Sequence, residues 1–179
     1  MTDRELLDML QDPLRRNAGV TAFIRLYQRP IYFYIRRMVL SHEDADDVSQ
    51  IVFVKAWKAI DSFRGESKLS TWLYRIAHNE CISFLRSSKR LMSVDVTQVE
   101  FELGSALQSD VLFSGDEIQA KLQTAIALLP EKQKTVFVMR YYNDLNYEEM
   151  AEITGTSIGA LKASYHHAVH KIEAYLKEK

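Results

Sequence analysis

Trp72, Arg75, Asn79, Arg86 and Arg90 combine three kinds of chemistry within one stretch of the chain. At helical pitch they gather within a sector of about 60°. An aromatic plane can stack, an amide can pair with a base edge, and guanidinium groups can neutralise phosphates. Together that is chemistry for holding unpaired nucleic acid. Leu73, Ala77, Glu80, Cys81 and Phe84 fall on the other side of the same helix, which mostly suits a core. A solvated helix face with a stray Trp gives the same pattern, so both readings stand at this point.

A second constellation runs from Arg140 to Val169. Asn146 with Glu149 three residues later predicts a capped short helix, with Met150, Ala151 and Ile153 facing inward. Gly155 suits a left-handed stop. Ser157 then opens a longer helix from Ile158 towards Leu176, with Leu161, Tyr165, Ala168, Ile172 and Leu176 as its buried stripe. Gly159, Ala160, Lys162, Ala163, His166, His167 and His170 point away. Small residues at a helix start let it sink into a major groove, and longer polar residues one turn later reach bases and phosphates. Two antiparallel core helices would give a similar apolar pattern.

Other chemistry finds little support. His166, His167 and His170 have zinc-compatible spacings, but no cysteine or carboxylate stands near as a third ligand, so no metal is expected. His78 precedes Cys81 by three residues, but Cys81 lies towards the buried side and lacks an orienting acid. There is no glycine-rich phosphate loop. Phe23, Tyr27, Tyr32, Phe33 and Tyr34 read as core. The expectation is a protein with no catalytic residues, cofactor or small-molecule substrate.

The elements that position these groups are helical. Residues 20–40 are apolar with spaced arginines, and Pro30 should start or kink a helix. Ser41 opens the next helix, with Asp44 in capping register and Glu43, Asp44, Asp46 and Asp47 at its positive end. Val48, Val52, Trp57 and Ile60 are expected on its buried side. Ser62–Ser70 reads as a loop. From Asp116, Ile118, Leu122, Ile126 and Leu129 form a stripe, after which Pro130 ends one helix and begins another.

The chain has 179 residues, 47% of them apolar, one cysteine and a net charge of −1. These totals suit a reducing cytoplasm, and the charged start MTDRELLDMLQD carries no secretory signal. No run is long enough to span a bilayer, so no membrane insertion is expected. Neutrality hides segregation. Residues 62–92 hold six basic side chains (Arg64, Lys68, Arg75, Arg86, Lys89, Arg90) against Glu66 and Glu80. Residues 93–117 hold six acids (Asp95, Glu100, Glu102, Asp110, Asp116, Glu117) and no Lys or Arg. The predicted architecture is all-α: helical domains at 1–90 and 116–179, joined by a flexible acidic linker at 91–115. A small strand pair is the alternative for the linker.

In this order, the residues resemble a bacterial RNA polymerase sigma factor of the extracytoplasmic-function group of the sigma-70 family. DADDVSQIVFVKAW, Asp44 to Trp57, resembles the region-two helix that docks on the polymerase clamp. The resemblance implies that Asp44, Asp47 and Gln50 contribute to docking, although Ile51 stands where the family often has an acid. FRGESKLSTWLYRIAHNECISFLR, Phe63 to Arg86, resembles the promoter-melting and −10 segment. It implies that the Phe63–Ser70 loop captures an extruded base and that Asn79 and its neighbours read the unpaired strand. The implied single-strand set is Phe63, Arg64, Ser67, Lys68, Trp72, Arg75, Asn79 and Arg86. The helix-turn-helix resembles the region-four domain that reads the −35 duplex. Gly159, Ala160, Lys162, Ala163, His166 and His167 are its implied contacts. Ser164, His167 and Val169 replace arginines common in the family, and Ala160 and Leu161 replace a threonine–valine pair. This implies weaker phosphate anchoring and a different −35 preference.

The implied protein is a non-enzymatic transcription initiation factor that binds core polymerase through its beta and beta-prime subunits. It would direct the polymerase to specific promoters and assist DNA opening. An anti-sigma factor is an implied partner, and the linker would thread a basic polymerase channel. A stand-alone helix-turn-helix regulator would explain residues 140–177 but leave the Trp72–Arg90 face unused.

Overall fold

A computed structural model of the chain describes residues 1–91, 106–107, 110 and 116–178. Among these residues the regular elements are all helical, as the sequence predicts. Most of the expected linker, with its strand-pair alternative, lies outside the described residues. The chain divides into two compact units, one built on Met1–Leu85 and the other on Arg86–Ala151 and Gly155–Lys179.

The first unit begins with α1 (Asp3–Gln11), an addition to the expected elements. Thr2 and Glu5 form a reciprocal capping box: Glu5 N–H donates to Thr2 Oγ1 at 3.2 Å, and Thr2 N–H to Glu5 Oε2 at 2.7 Å. The backbone and side-chain hydrogen bonds to Thr2 hold the Glu5 carboxyl below the usual carboxylate range. Leu6 and Leu10, one turn apart, are fully buried.

Helix α2 (Arg16–Val39) contains Pro30 in its interior. The expectation of a helix start at Pro30 is therefore corrected. Phe23, Tyr27, Ile31, Tyr34, Ile35 and Met38 recur at helical spacing and are buried on both sides of the proline. That packing outweighs one missing backbone donor, a cost of about 3 kcal/mol. Gly19 lets α1 and α2 meet backbone to backbone: a Cβ there would lie 3.0 Å from Leu10 N and Met9 C.

Helix α3 (His42–Ala59) starts at Ser41, whose Oγ accepts from Asp44 N–H at 3.3 Å. Val48, Val52 and Ile60 are buried as expected, but Trp57 is 44% exposed and corrects that expectation. At 100° per residue Trp57 lies about 140° from Val52, so the helix turns it outward. A 3-10 turn (Ile60–Ser62) and a loop lead to α4 (Leu69–Leu91). Asp3 Oδ2 accepts the Leu69 N–H at 2.9 Å, so α1 caps the start of α4.

In the second unit, α5 (Glu117–Ala127) is capped by Asp116, which accepts from Ile118 N–H at 3.0 Å. Ile126 and Leu129 are buried, whereas Ile118 is 66% exposed, against expectation. It sits at the second position of the helix, and the first buried residue is Ala120, two positions on. Helix α6 (Glu131–Tyr141) starts from Pro130. A turn with Asp144 at φ 51° leads to α7 (Tyr147–Thr154) and then α8 (Ile158–Glu178). Helices α5 and α6 both pack against α8. Phe137 stacks on Tyr141 and on Tyr165, with centroids 5.1 and 5.9 Å apart. No helix among the described residues is long and apolar enough to cross a membrane.

Candidate nucleic-acid interface

Helix α4 presents two faces. Leu73, Ala77 and Cys81 are fully buried, while Arg75, Asn79 and Arg86 are exposed and Trp72 is half-buried. The buried side fixes the rotation of the helix and thus the direction of the other side. Phe84 is only partly buried. Glu80, expected on the core side, is half-buried at its margin because Lys55 of α3 pairs with it. Arg90 belongs to the predicted set, but its side chain lies outside the described residues.

The loop before α4 supports the same face. Phe63 is buried and its ring tilts against Trp72, with centroids 5.2 Å apart. Gly65 turns the chain at φ 74°, a conformation that favours glycine. Arg64 and Lys68 are exposed and Ser67 is partly so. The loop and helix therefore bring Arg64, Ser67 and Trp72 to one edge of the unit, with Phe63 beneath as a support.

On α3, Asp47 and Gln50 are exposed and Asp44 is half-buried. Sequence reasoning missed their apolar neighbours. Ile51, Val54 and Trp57 are 45%, 51% and 44% exposed, and Ile24 of α2 is 40% exposed. Ile24, Val54 and Trp57 rim an apolar recess of about 240 Å³ whose floor includes Leu10, Phe23 and Phe53. Arg16 lies over the Trp57 ring, 4.5 Å from its centroid, and pairs with both Asp61 oxygens at 2.9 and 3.0 Å. The helical wheel of α3 carries the signal for Trp57, since it stands well away from Val48 and Val52.

In the second unit the predicted punctuation is present. Glu149 N–H donates to Asn146 Oδ1 at 2.8 Å, and Asn146 N–H to Glu149 Oε2 at 3.1 Å. Gly155 closes α7 at φ 69°, and Ser157 Oγ accepts from Ala160 N–H at 3.3 Å. Leu161, Ala168 and Ile172 are buried, with Tyr165 and Leu176 partly so. Gly159, Ala160, Lys162, Ala163, His166, His167 and His170 are all exposed. Nothing within 4 Å would meet a Cβ at Gly159, so the start of this face is open. Lys162 Nζ lies 5.6 Å from the Tyr147 ring centroid and Arg140 5.7 Å from it, which ties the N-terminal turns of α7 and α8 to α6.

Residues 23–91 match the family described as Sigma-70 region 2, and residues 119–172 match Sigma-70, region 4. The chain is 32% identical to the ECF RNA polymerase sigma-E factor of Escherichia coli K12, over 97% of this chain and 93% of that one. The chain belongs to the extracytoplasmic-function group of the sigma-70 family. It is also 31% identical to the RNA polymerase sigma-H factor of Pseudomonas aeruginosa, over 98% of this chain and 94% of the other. Two solved structures share the fold. The sigma factor RpoE of Bartonella quintana, in complex with the anti-sigma factor NepR, has a TM-score of 0.70, with 23% identity over 88% of this chain and 96% of that one. CnrH, in complex with the cytosolic domain of CnrY, has a TM-score of 0.74, with 20% identity over 99% of this chain and 98% of the other.

This sigma factor is a promoter-specific transcription initiation factor, a partner of core RNA polymerase and promoter DNA, and not an enzyme.

Proposed function

We propose that this sigma factor divides promoter recognition between its two helical domains. Residues 1–90 dock on core polymerase and hold the melted −10 strand, 91–115 form the linker, and 116–179 read the −35 duplex. In the first domain, Trp72 offers a stacking plane, Asn79 a base-edge partner, and Arg64, Lys68, Arg75 and Arg86 offset phosphate charge, with Ser67 as a further polar contact. Phe63 backs the Trp72 ring. Extruding a base costs a few kcal/mol, which stacking and hydrogen bonding offset.

On α3, Asp44, Asp47 and Gln50 supply the polar part of a docking surface for the polymerase clamp, formed with the beta-prime subunit and continued towards beta. Exposed Ile51 and Val54 extend it with apolar area. On α8, Gly159, Ala160 and Ala163 allow close approach to the groove, while Lys162, His166 and His167 reach bases and phosphates. The complexes of the two solved relatives support an anti-sigma factor as a further partner. The cytoplasm, where polymerase works, is the proposed location.

One observation carries the single-strand assignment: α4 is anchored at Leu73, Ala77 and Cys81 and turns Arg75, Asn79 and Arg86 outward beside Trp72. The test replaces Trp72, Arg75 and Asn79 together by Ala, with core polymerase present. Permanganate reactivity of the −10 thymines should be lost while co-purification with polymerase persists. Intact open complexes would sink the assignment.

A further inference from the structure

The exposed side of α8 carries chemistry that duplex reading does not require. The rings of His166 and His170 meet edge to face, with centroids 4.3 Å apart and planes at 77°. His167 stands further off, 5.9 Å from His166. All three are exposed, and the helix beneath them is pinned by buried Leu161, Ala168 and Ile172. Residues four apart share one face of a helix, so a rigid backbone sets the spacing of this pair.

We propose that His166 and His170 form a two-histidine site for a divalent transition-metal ion of the imidazole-preferring class: zinc, nickel or copper. An ion held at about 2.0–2.1 Å from each of two nitrogens puts those nitrogens about 3.3 Å apart. In that arrangement the two ring centroids stand about 5 Å apart, so rings now in contact at 4.3 Å reach it by turning their nitrogens towards a common point and opening slightly. The charges along this stretch are mixed: Lys162 and Lys171 are positive and Glu173 negative, all three exposed. Lys162, one turn before His166, leans over the Tyr147 ring. Glu173, exposed and three residues after His170, adds negative charge on the same side. Among the described residues no group of three or more His, Cys, Asp or Glu side chains is placed to hold an ion. The site is therefore a bidentate chelate whose remaining positions are filled by water, and its ion exchanges freely.

His166 also belongs to the proposed −35 face. Metal and duplex then compete for the same ring, and each weakens the other by the same factor. That consequence rests on the −35 assignment; the metal site does not.

The test titrates the full chain, free of any histidine tag and stripped with a chelator, with Zn²⁺ alone in a calorimeter. One ion binds in the micromolar range. His166→Ala and His170→Ala each weaken it by roughly tenfold or more. His167→Ala and His42→Ala keep it; the latter removes a histidine that stands 3.4 Å from Asp46. Absence of binding, or equal binding by His170→Ala, overturns the site. A second arm measures a −35 duplex by anisotropy with and without saturating Zn²⁺. Weaker duplex binding by the parent chain, absent in His166→Ala, supports competition. Unchanged duplex affinity with intact histidine-dependent Zn²⁺ binding upholds the metal site and overturns the placement of His166 on the duplex.

Discussion

The carboxylate of Asp3 accepts from two partners far away in sequence, Leu69 N–H at 2.9 Å and the Tyr27 hydroxyl at 3.3 Å. It thereby ties α1 to the start of α4 and to the middle of α2. Burial, then the negative charge of Asp3 and the hydrogen bond to it, push the Tyr27 phenol up to about 12 from an ordinary 10.0. The sign of the pH effect follows. The unfolded chain loses this proton near pH 10 and the folded chain only near 12, so the contribution is complete below pH 10 and lost as pH rises to 12. Urea denaturation should show stability falling across that window, and Tyr27→Phe should flatten part of the fall. Tyr34, fully buried and pushed up mainly by burial, supplies a further part. An identical alkaline slope in Tyr27→Phe would refute the assignment. Asp3→Ala removes both bonds and should cost about 2 kcal/mol at neutral pH.

Helices show the same logic at larger scale, and two glycines separate its cases. Gly19→Ala places a methyl 3.0 Å from backbone atoms of Met9 and Leu10, which cannot swing away. The gain in helix propensity is about 1 kcal/mol, and the overpacking exceeds it, so net destabilisation of about 1–2 kcal/mol is expected. Gly159→Ala meets nothing within 4 Å and should stabilise by about 0.5 kcal/mol. Equilibrium unfolding of both variants checks the opposite signs. The capped α7 and the start of α8 were legible in sequence because Asn146, Glu149, Gly155 and Ser157 act through neighbours three or four residues away. The outward face of α4 was legible because one helical period fixes it. A helix start at Pro30 is overturned because its local cost is overruled by core packing on both sides. Ile118 misled because periodicity cannot say where along a helix burial begins. The exposed apolar set on α2 and α3 was missed for a related reason: Ile24 and Val54 come together only when α2 packs on α3. Helix α1 was open to recognition, since Thr2 and Glu5 spell a capping box before Leu6 and Leu10.

For the whole chain, a net charge of −1 is the least informative of its electrostatic quantities. Six basic residues within 62–92 accompany the face assigned to melted DNA, and the next six charged residues, within 93–117, are all acidic. A run of like charge attracts a partner of opposite sign, and cation-lined channels accept a polyanion whether it is nucleic acid or peptide. We propose that the acidic tract occupies a path that nascent RNA must later take, so that the two compete for it. Replacing Asp95, Glu100, Glu102, Asp110, Asp116 and Glu117 by their amides removes the competitor's charge but keeps its length. Asp116 caps α5, and asparagine caps as well as aspartate, so Asp116→Asn spares that helix. In transcription with core polymerase, the neutralised chain should release RNA more readily and lower the ratio of abortive to full-length products. The difference should shrink as salt rises, because exposed charges are screened. An unchanged ratio at low salt would reduce the tract to a solvated tether, with its charge serving solubility instead of the path of the transcript.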